Sequence, residues 1–379
     1  MMSEHPDFKM TDRPPVYATP PAADGQLGIG VIGLHEGRTL LAALGRSAHA
    51  RAVAGCDLSQ DKLDAAGAEM PGLFLTPDYQ EILRRSDVQV VAVYTPDHLH
   101  AEHICAAFEA GKDVICTKPL VTTMPDARRV LAAGRSTGRK LLVGQSIRFF
   151  ESFRRQRSAF ERGEVGEVEM ADAHYTHRMD WFYDKSPWAI TDSDWVFMGM
   201  SHPVDLVRWY LGHIEEVHAF GSRSALAKRY GAQGFDQYVA NLRSADGRLG
   251  RVMGNYGVHE LPSARNAIEL VLYGSGGTSM AQYHDMRYFA TRPDGTEVRE
   301  DALYAGRAYY FNNEVHGMHY GEFANYGEHF TSALIRGEGH QPDLEHGIES
   351  FCVMEAIRQS SQTGQPVALA PMLATVGLD

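Results

Sequence analysis

A chain of 379 residues, 44% of them hydrophobic, is long enough for two domains with sizeable cores. Its formal net charge of −12 argues against a nucleic-acid binder, which needs a basic face to displace counterions. The four cysteines, Cys56, Cys105, Cys116 and Cys352, make no C-x-x-C pair, zinc spacing or disulfide framework, and read as buried thiols of a reducing compartment.

The opening residues carry neither an apolar leader core nor twin arginines, and no run of about 18 apolar residues occurs anywhere. A cytoplasmic protein with no membrane partner is expected. Residues 1–26 are rich in proline and polar residues, without periodicity. They read as a disordered arm, or as an extended one that wraps a neighbouring subunit.

From Leu27 short apolar runs alternate with helical segments. Strands are expected at Leu27–Leu34, Ala50–Cys56, Val88–Tyr94, Asp113–Cys116 and Lys140–Gly144. Helices are expected up to about Gly45, from Ser59, from His98 to Ala110 and from Pro125 to Arg135. Uninterrupted apolar strands separated by helices mean a parallel sheet covered on both faces. Residues 27–149 therefore read as a doubly wound α/β Rossmann domain.

Beyond Phe150 strand-like runs follow one another with few helices: Val168–His174, Val217–Phe220, Tyr238–Arg243, Gly250–Tyr256, Ile268–Tyr273, Gly277–Gln282 and Met286–Arg292. Asp294-Gly295 is a hairpin signal. A helix is expected near Met198–Leu211, and two more at Gly321–Arg336 and Leu344–Gln362. Residues 150–379 read as an α+β domain with a large, mostly antiparallel, open-faced sheet.

The string Gly28-Ile29-Gly30-Val31-Ile32-Gly33 matches G-x-G-x-x-G literally, but its first two glycines lie inside the opening strand. A dinucleotide turn belongs at the strand's end. The expected turn is Gly33-Leu34-His35-Glu36-Gly37-Arg38, with Gly33 making the tight bend and Gly37 giving room for helix–strand packing. Asp57 ends the second strand, 24 positions after Gly33. An acid there accepts the adenosine ribose hydroxyls and repels a 2′-phosphate, which favours NAD, with NADP as the alternative. Equally, Asp57 is suited to capping the next helix.

Two further segments carry a resemblance. Val90–Pro119, "VVAVYTPDHLHAEHICAAFEAGKDVICTKP", and Ser201–Gly212, "SHPVDLVRWYLG", resemble the glucose–fructose oxidoreductase / inositol dehydrogenase / MocA-like family, as does the ending "VMEAIRQSSQTGQPV". The resemblance implies that Thr95, Pro96, Asp97 and His100 form a turn against the cofactor. It places Lys118 beside the nicotinamide and His202 opposite it. It implies substrate at the domain junction, a last helix packing back toward the first domain, and homodimers or homotetramers built through the sheets. The sequence departs from the family in three places: Thr117 replaces the glutamate before the lysine, Met198 the aspartate four before the histidine, and His35 the second glycine of the turn.

Hydride transfer from an alcohol needs a proton acceptor and a donor to the reacting oxygen. A histidine, with an ordinary pKa of about 6.5, suits the first role, here His202. Lys118 suits the second, its pKa depressed by burial. Asp205, three residues after His202 on the same helix, is a candidate to orient it. Arg148, suited to a substrate hydroxyl or carboxylate or equally to a structural ion pair, is a substrate candidate with Asp205, His174 and Tyr175. His177, Trp181, Phe182, Tyr183, Trp188 and Trp195 form a neighbouring cluster suited to stacking on a sugar ring or equally to core or subunit contact, and Tyr256, His259, His316 and His319 are weaker candidates. The run from Asp97 to His103 lacks a recognised metal-ligand spacing, so no metal is expected. The leading reading is an NAD-dependent oxidoreductase acting on a sugar, polyol or cyclic alcohol. A redox-neutral glycosidase or lyase, and a ligand sensor, are the alternatives.

Overall fold

The computed structural model describes residues 25–191, 194–259, 266–302 and 322–378. The first domain alternates β1 (Leu27–Ile32), α1 (Gly37–Ala43), β2 (Ala50–Cys56), α2 (Gln60–Glu69), β3 (Phe74–Thr76), α3 (Tyr79–Arg84), β4 (Val90–Val93), α4 (His100–Glu109), β5 (Asp113–Thr117), α5 (Met124–Thr137) and β6 (Leu141–Gly144). Among the described residues its sheet has the order β3-β2-β1-β4-β5-β6, with every pair parallel. The chain winds outward from β1 in both directions, so the tips of β1 and β4 flank a crevice at the switch point. The short β3 and α3 are additions to the elements read from the sequence.

The literal glycine motif is structural. A Cβ on Gly28 would stand 1.9 Å from the Asp87 carbonyl oxygen, and one on Gly30 2.6 Å from Ile82 Cγ2. Both glycines lie within β1, as expected.

The second domain opens with α6 (Glu151–Glu161) and β7 (Val168–His177). Three short helices follow: α7 (Asp180–Lys185), α8 (Trp188–Thr191) and α9 (Trp195–Met198). Then come α10 (Ser201–Leu211), β8 (Ile214–Ser222), α11 (Ala225–Tyr230), β9 (Gln237–Ser244), β10 (Leu249–Asn255), β11 (Asn266–Gly274), β12 (Gly277–Gln282), β13 (Arg287–Thr291) and β14 (Glu297–Asp301). The chain closes with α12 (Glu322–Arg336), α13 (Leu344–Thr363), β15 (Val367–Ala368) and α14 (Ala370–Val376). Among the described residues the sheet runs β14-β13-β12-β11-β7-β10-β9-β8-β15, antiparallel except for β7 with β10. The expected Asp294-Gly295 hairpin joins β13 and β14.

Helices α6, α10 and α13 cover one face of this sheet. Among the described residues nothing covers the other face: Phe220 is 65% exposed, and Val239, its register partner, is also exposed. The last helices return to the first domain. Phe323, Tyr326 and Phe330 of α12 join Leu40, Leu41 and Leu44 in the core on one face of the parallel sheet. On the other face, Phe351, Val353 and Ile357 of α13 share a core with Val114, Val143 and Val217 from both domains. All four cysteines are buried and free. No helix among the described residues is long and apolar enough to cross a membrane.

Candidate active site

The Gly33 turn bends sharply at the tip of β1. Gly33 has φ of +96°, and a Cβ there would stand 2.5 Å from the Tyr94 carbonyl oxygen, so only glycine fits. Gly37 gives α1 its close approach to β1, since a Cβ would press 2.5 Å from Val31 Cγ1. Asp57 is pinned at the neighbouring strand tip: Leu34 N donates to its Oδ2 at 2.8 Å, Ser59 N to its Oδ1 at 3.0 Å, and Lys62 Nζ lies 3.3 Å away. Its ties thus join the turn and the start of α2.

His35 sits exposed on the turn, followed by Glu36. Partial burial lowers the His35 pKa first, then the nearby Lys185 cation on α7, with Glu36 opposing. The second domain therefore reaches electrostatically to the turn. Arg38 pairs with Glu69 at 3.2 Å, so its guanidinium is directed at α2. The turn fits a dinucleotide: a bare glycine Cα opens it, and an acid stands at the adjoining tip. Gly33, Asp57 and the residues after β4 would hold such a cofactor.

Thr95, Pro96 and Asp97 follow β4, with Asp97 buried and its Oδ1 accepting from His98 N at 3.0 Å. His100 needs correction as a cofactor contact. It is only 1% exposed, with Nδ1 2.7 Å from the Pro119 carbonyl oxygen and Nε2 2.9 Å from that of Thr95. It braces the turn after β4 against the Lys118–Pro119 turn.

From the end of β5, Lys118 crosses the junction. Its Nζ donates to the Met198 carbonyl at 3.0 Å. Burial lowers its pKa, while Glu36 and Asp97 oppose the shift. Met198 ends α9, and its carbonyl also accepts from Ser201 Oγ at 3.3 Å. His202 follows in the first turn of α10, 7% exposed. The Lys118 ammonium of one domain thus reaches the short turn of the other that leads into His202.

Tyr175 stands edge-on to His202, ring centroids 5.6 Å apart, with its hydroxyl 3.3 Å from His177 Nδ1. His174 needs correction. Residues of β7 alternate between faces, and Tyr175 and His177 share the covered one. His174 points the other way, with Nε2 3.8 Å from Glu269 Oε2 on β11. His177 takes its place beside the junction, and the period-two alternation was the signal for it.

Of the two roles open to Arg148 the structure forms the ion pair, and Asp205 needs correction as a substrate ligand and as the group that orients His202. Arg148 and Asp205 hold each other in a buried bidentate pair, 2.6 and 2.8 Å, so neither offers its charge to substrate and Asp205 does not serve His202. The aromatic cluster divides. Trp195, stacked on Tyr256 at 4.8 Å, and Tyr183 are core. Trp181 packs near His177 at 5.9 Å, and Trp188 meets His98 across the junction at 6.0 Å. His259 is exposed beside Arg178, and His316 and His319 lie outside the described residues.

Residues 27–145 match an oxidoreductase family with an NAD-binding Rossmann fold, and residues 153–279 match the GFO/IDH/MocA C-terminal domain. Inositol 2-dehydrogenase 1 of Saccharopolyspora erythraea is 31% identical over 351 residues, covering 90% of this chain and 95% of that one. The chain belongs to the Gfo/Idh/MocA family. Levoglucosan dehydrogenase of Pseudarthrobacter phenanthrenivorans is 26% identical over 321 residues, 76% of this chain and 81% of that one. In fold, the chain is similar to a levoglucosan dehydrogenase in complex with NADH, with a TM-score of 0.76, 20% identity, and 91% and 99% of the two chains covered. It is also similar to an Agrobacterium radiobacter oxidoreductase in complex with NAD+, L-tartaric acid and magnesium, with a TM-score of 0.80, 19% identity, and 92% and 100% covered.

This Gfo/Idh/MocA protein is thus an NAD-binding oxidoreductase, as the TP–H–KP and His202 segments indicated. In place of the aspartate that the resemblance implies, Met198 contributes its main-chain carbonyl to Lys118.

Proposed function

We propose that this oxidoreductase moves a hydride between nicotinamide and a hydroxyl-bearing carbon of a sugar, polyol or related cyclic alcohol. The observation that carries the reading is the Lys118 ammonium placed across the domain junction on the turn that leads into His202. The relatives named as inositol and levoglucosan dehydrogenases support this substrate class.

The bound nicotinamide supplies the hydride acceptor or donor. In the oxidising direction His202 takes the hydroxyl proton as the carbinol hydrogen leaves with its electron pair. Lys118 donates a hydrogen bond to the oxygen, and its burial lowers the pKa of that donor. Tyr175 and Trp181 supply an aromatic wall suited to the CH face of a ring. Asp57 favours NAD, because a 2′-phosphate would meet its carboxylate. The bare sheet face around Phe220 and Val239 suits a second copy of the chain, giving a homodimer or homotetramer.

The deciding experiment is a panel of cyclitols, pyranoses, anhydrosugars and linear polyols, assayed with NAD and with NADP and followed by product analysis. Reduced cofactor formed in step with ketone product is expected, with NAD preferred. Release of an aglycone or elimination product without net reduced cofactor would instead identify a redox-neutral enzyme.

A further inference from the structure

Three elements converge one helical turn beyond His202. Arg148 lies in the 3-10 turn Ser146–Phe149 that leaves the first domain, Asp205 on α10, and His346 in the first turn of α13. Arg148 Nε and Nη2 donate to the two Asp205 oxygens at 2.6 and 2.8 Å, while its guanidinium lies over the Trp209 ring at 4.9 Å. His346 Nε2 touches Arg148 Nη2 and stands 3.1 Å from Asp205 Oδ1. One turn further along α10, Arg208 donates to the His346 carbonyl at 2.8 Å and to Ser350 Oγ at 2.6 Å, and pairs with Glu349.

This company sets the electrostatics of the cluster. Burial pushes the Asp205 pKa up, but Arg148 and His346 outweigh it and hold the carboxyl well below the usual range. Burial, then Arg148 and Arg208, push His346 down to about 3, while Asp205 opposes the shift. Arg148 is 3% exposed, which isolates the pair from solvent.

A pair so buried is a poor way to gain stability, since desolvation cancels much of the attraction. A bidentate guanidinium–carboxylate contact does, however, fix distance and angle together, which apolar packing does not. We propose that Arg148 and Asp205, braced by His346, are positioning residues that lock the His202 helix to the first domain and so set the imidazole against Lys118. Lys118 reaches Met198 from one side of His202, and the pair clamps the helix from the other. Neither residue of the pair touches substrate.

This rests on the hydride-transfer reading, so the wild-type enzyme must first reduce NAD with a polyol found in the panel; failure there overturns that reading, not this one. The test is the double substitution Arg148→Met/Asp205→Leu, which replaces the pair by apolar groups of similar length and is expected to keep the melting temperature. NADH affinity and KM should stay within about twofold, while kcat falls about tenfold to a hundredfold, the cost of a slightly misplaced catalytic group. The acid limb of the kcat–pH profile should move as His202 changes surroundings. Arg148→Lys, which keeps the charge and loses the fork, should fall between the two and serves if the double variant does not fold. Wild-type kcat and pH profile in a folded variant of either kind would overturn the proposal.

Discussion

Among the described residues, the parallel sheet is buried on both faces, whereas the nine-stranded sheet is covered on one face and bare on the other. The difference separates two tasks. Doubly covered strands present only their tips, and the Gly33 turn, Asp57, Thr95 and Lys118 all lie at tips. The half-covered sheet instead presents a surface, with Tyr175 and His177 on the covered side and Phe220 and Val239 on the bare one.

That contrast is breakable from four directions. The largest effect is expected at the junction: His202→Ala should lower kcat about 100- to 10,000-fold while NADH titration stays near wild type. A kcat within threefold would remove His202 from the chemistry. Next comes the tip of β1. Gly33→Ala forces a Cβ toward the Tyr94 carbonyl at positive φ, and should cost about 1–3 kcal/mol in chemical denaturation together with NADH affinity. Unchanged denaturation would show that the turn relaxes freely.

The third direction is the seam where α12 is fastened to the first domain. The Glu328 carboxylate accepts from the Ser47 hydroxyl, from Ala48 N at 3.1 Å and His49 N at 3.2 Å, and pairs with the His49 ring. Burial raises its pKa, but those donors prevail and the net shift is downward. A depressed carboxyl stabilises above its unfolded pKa of about 4.3 and loses that contribution as pH falls through the folded value. Glu328→Gln should therefore cost about 1 kcal/mol at pH 7 and progressively less below pH 4, measured by urea denaturation. A pH-independent difference would count against the ionic part of the seam. The smallest effect on chemistry is expected at the bare face. Phe220→Glu should lower the mass measured by light scattering and leave kcat near wild type. An unchanged mass would place the subunit contact elsewhere.

How much of this was legible follows from the same contrast. Strands of the parallel sheet are apolar throughout, so their positions stood out, and the misplaced glycines of β1 identified the true turn. In β7 the alternation of Ala171, Ala173, Tyr175 and His177 was visible, and it assigns His174 to the other face. Asp205 was rightly seen to share a helix with His202, but its partner Arg148 lies 57 residues away, and no local pattern encodes that meeting. The short helices α7 to α9 are held by ring contacts such as Trp188 with His98, which periodicity does not register.

Helix α12 lies nearly two hundred residues beyond the sheet it completes. A fragment cut at residue 149 would leave Leu40, Leu41 and Leu44 facing water where Tyr326 and Phe330 belong. During synthesis the ribosome delivers those aromatics only after strands β7 to β14 of the second sheet have been made. The nucleotide half, though made first, is finished late, and the nascent chain carries an apolar patch until its C-terminal portion arrives to cover it.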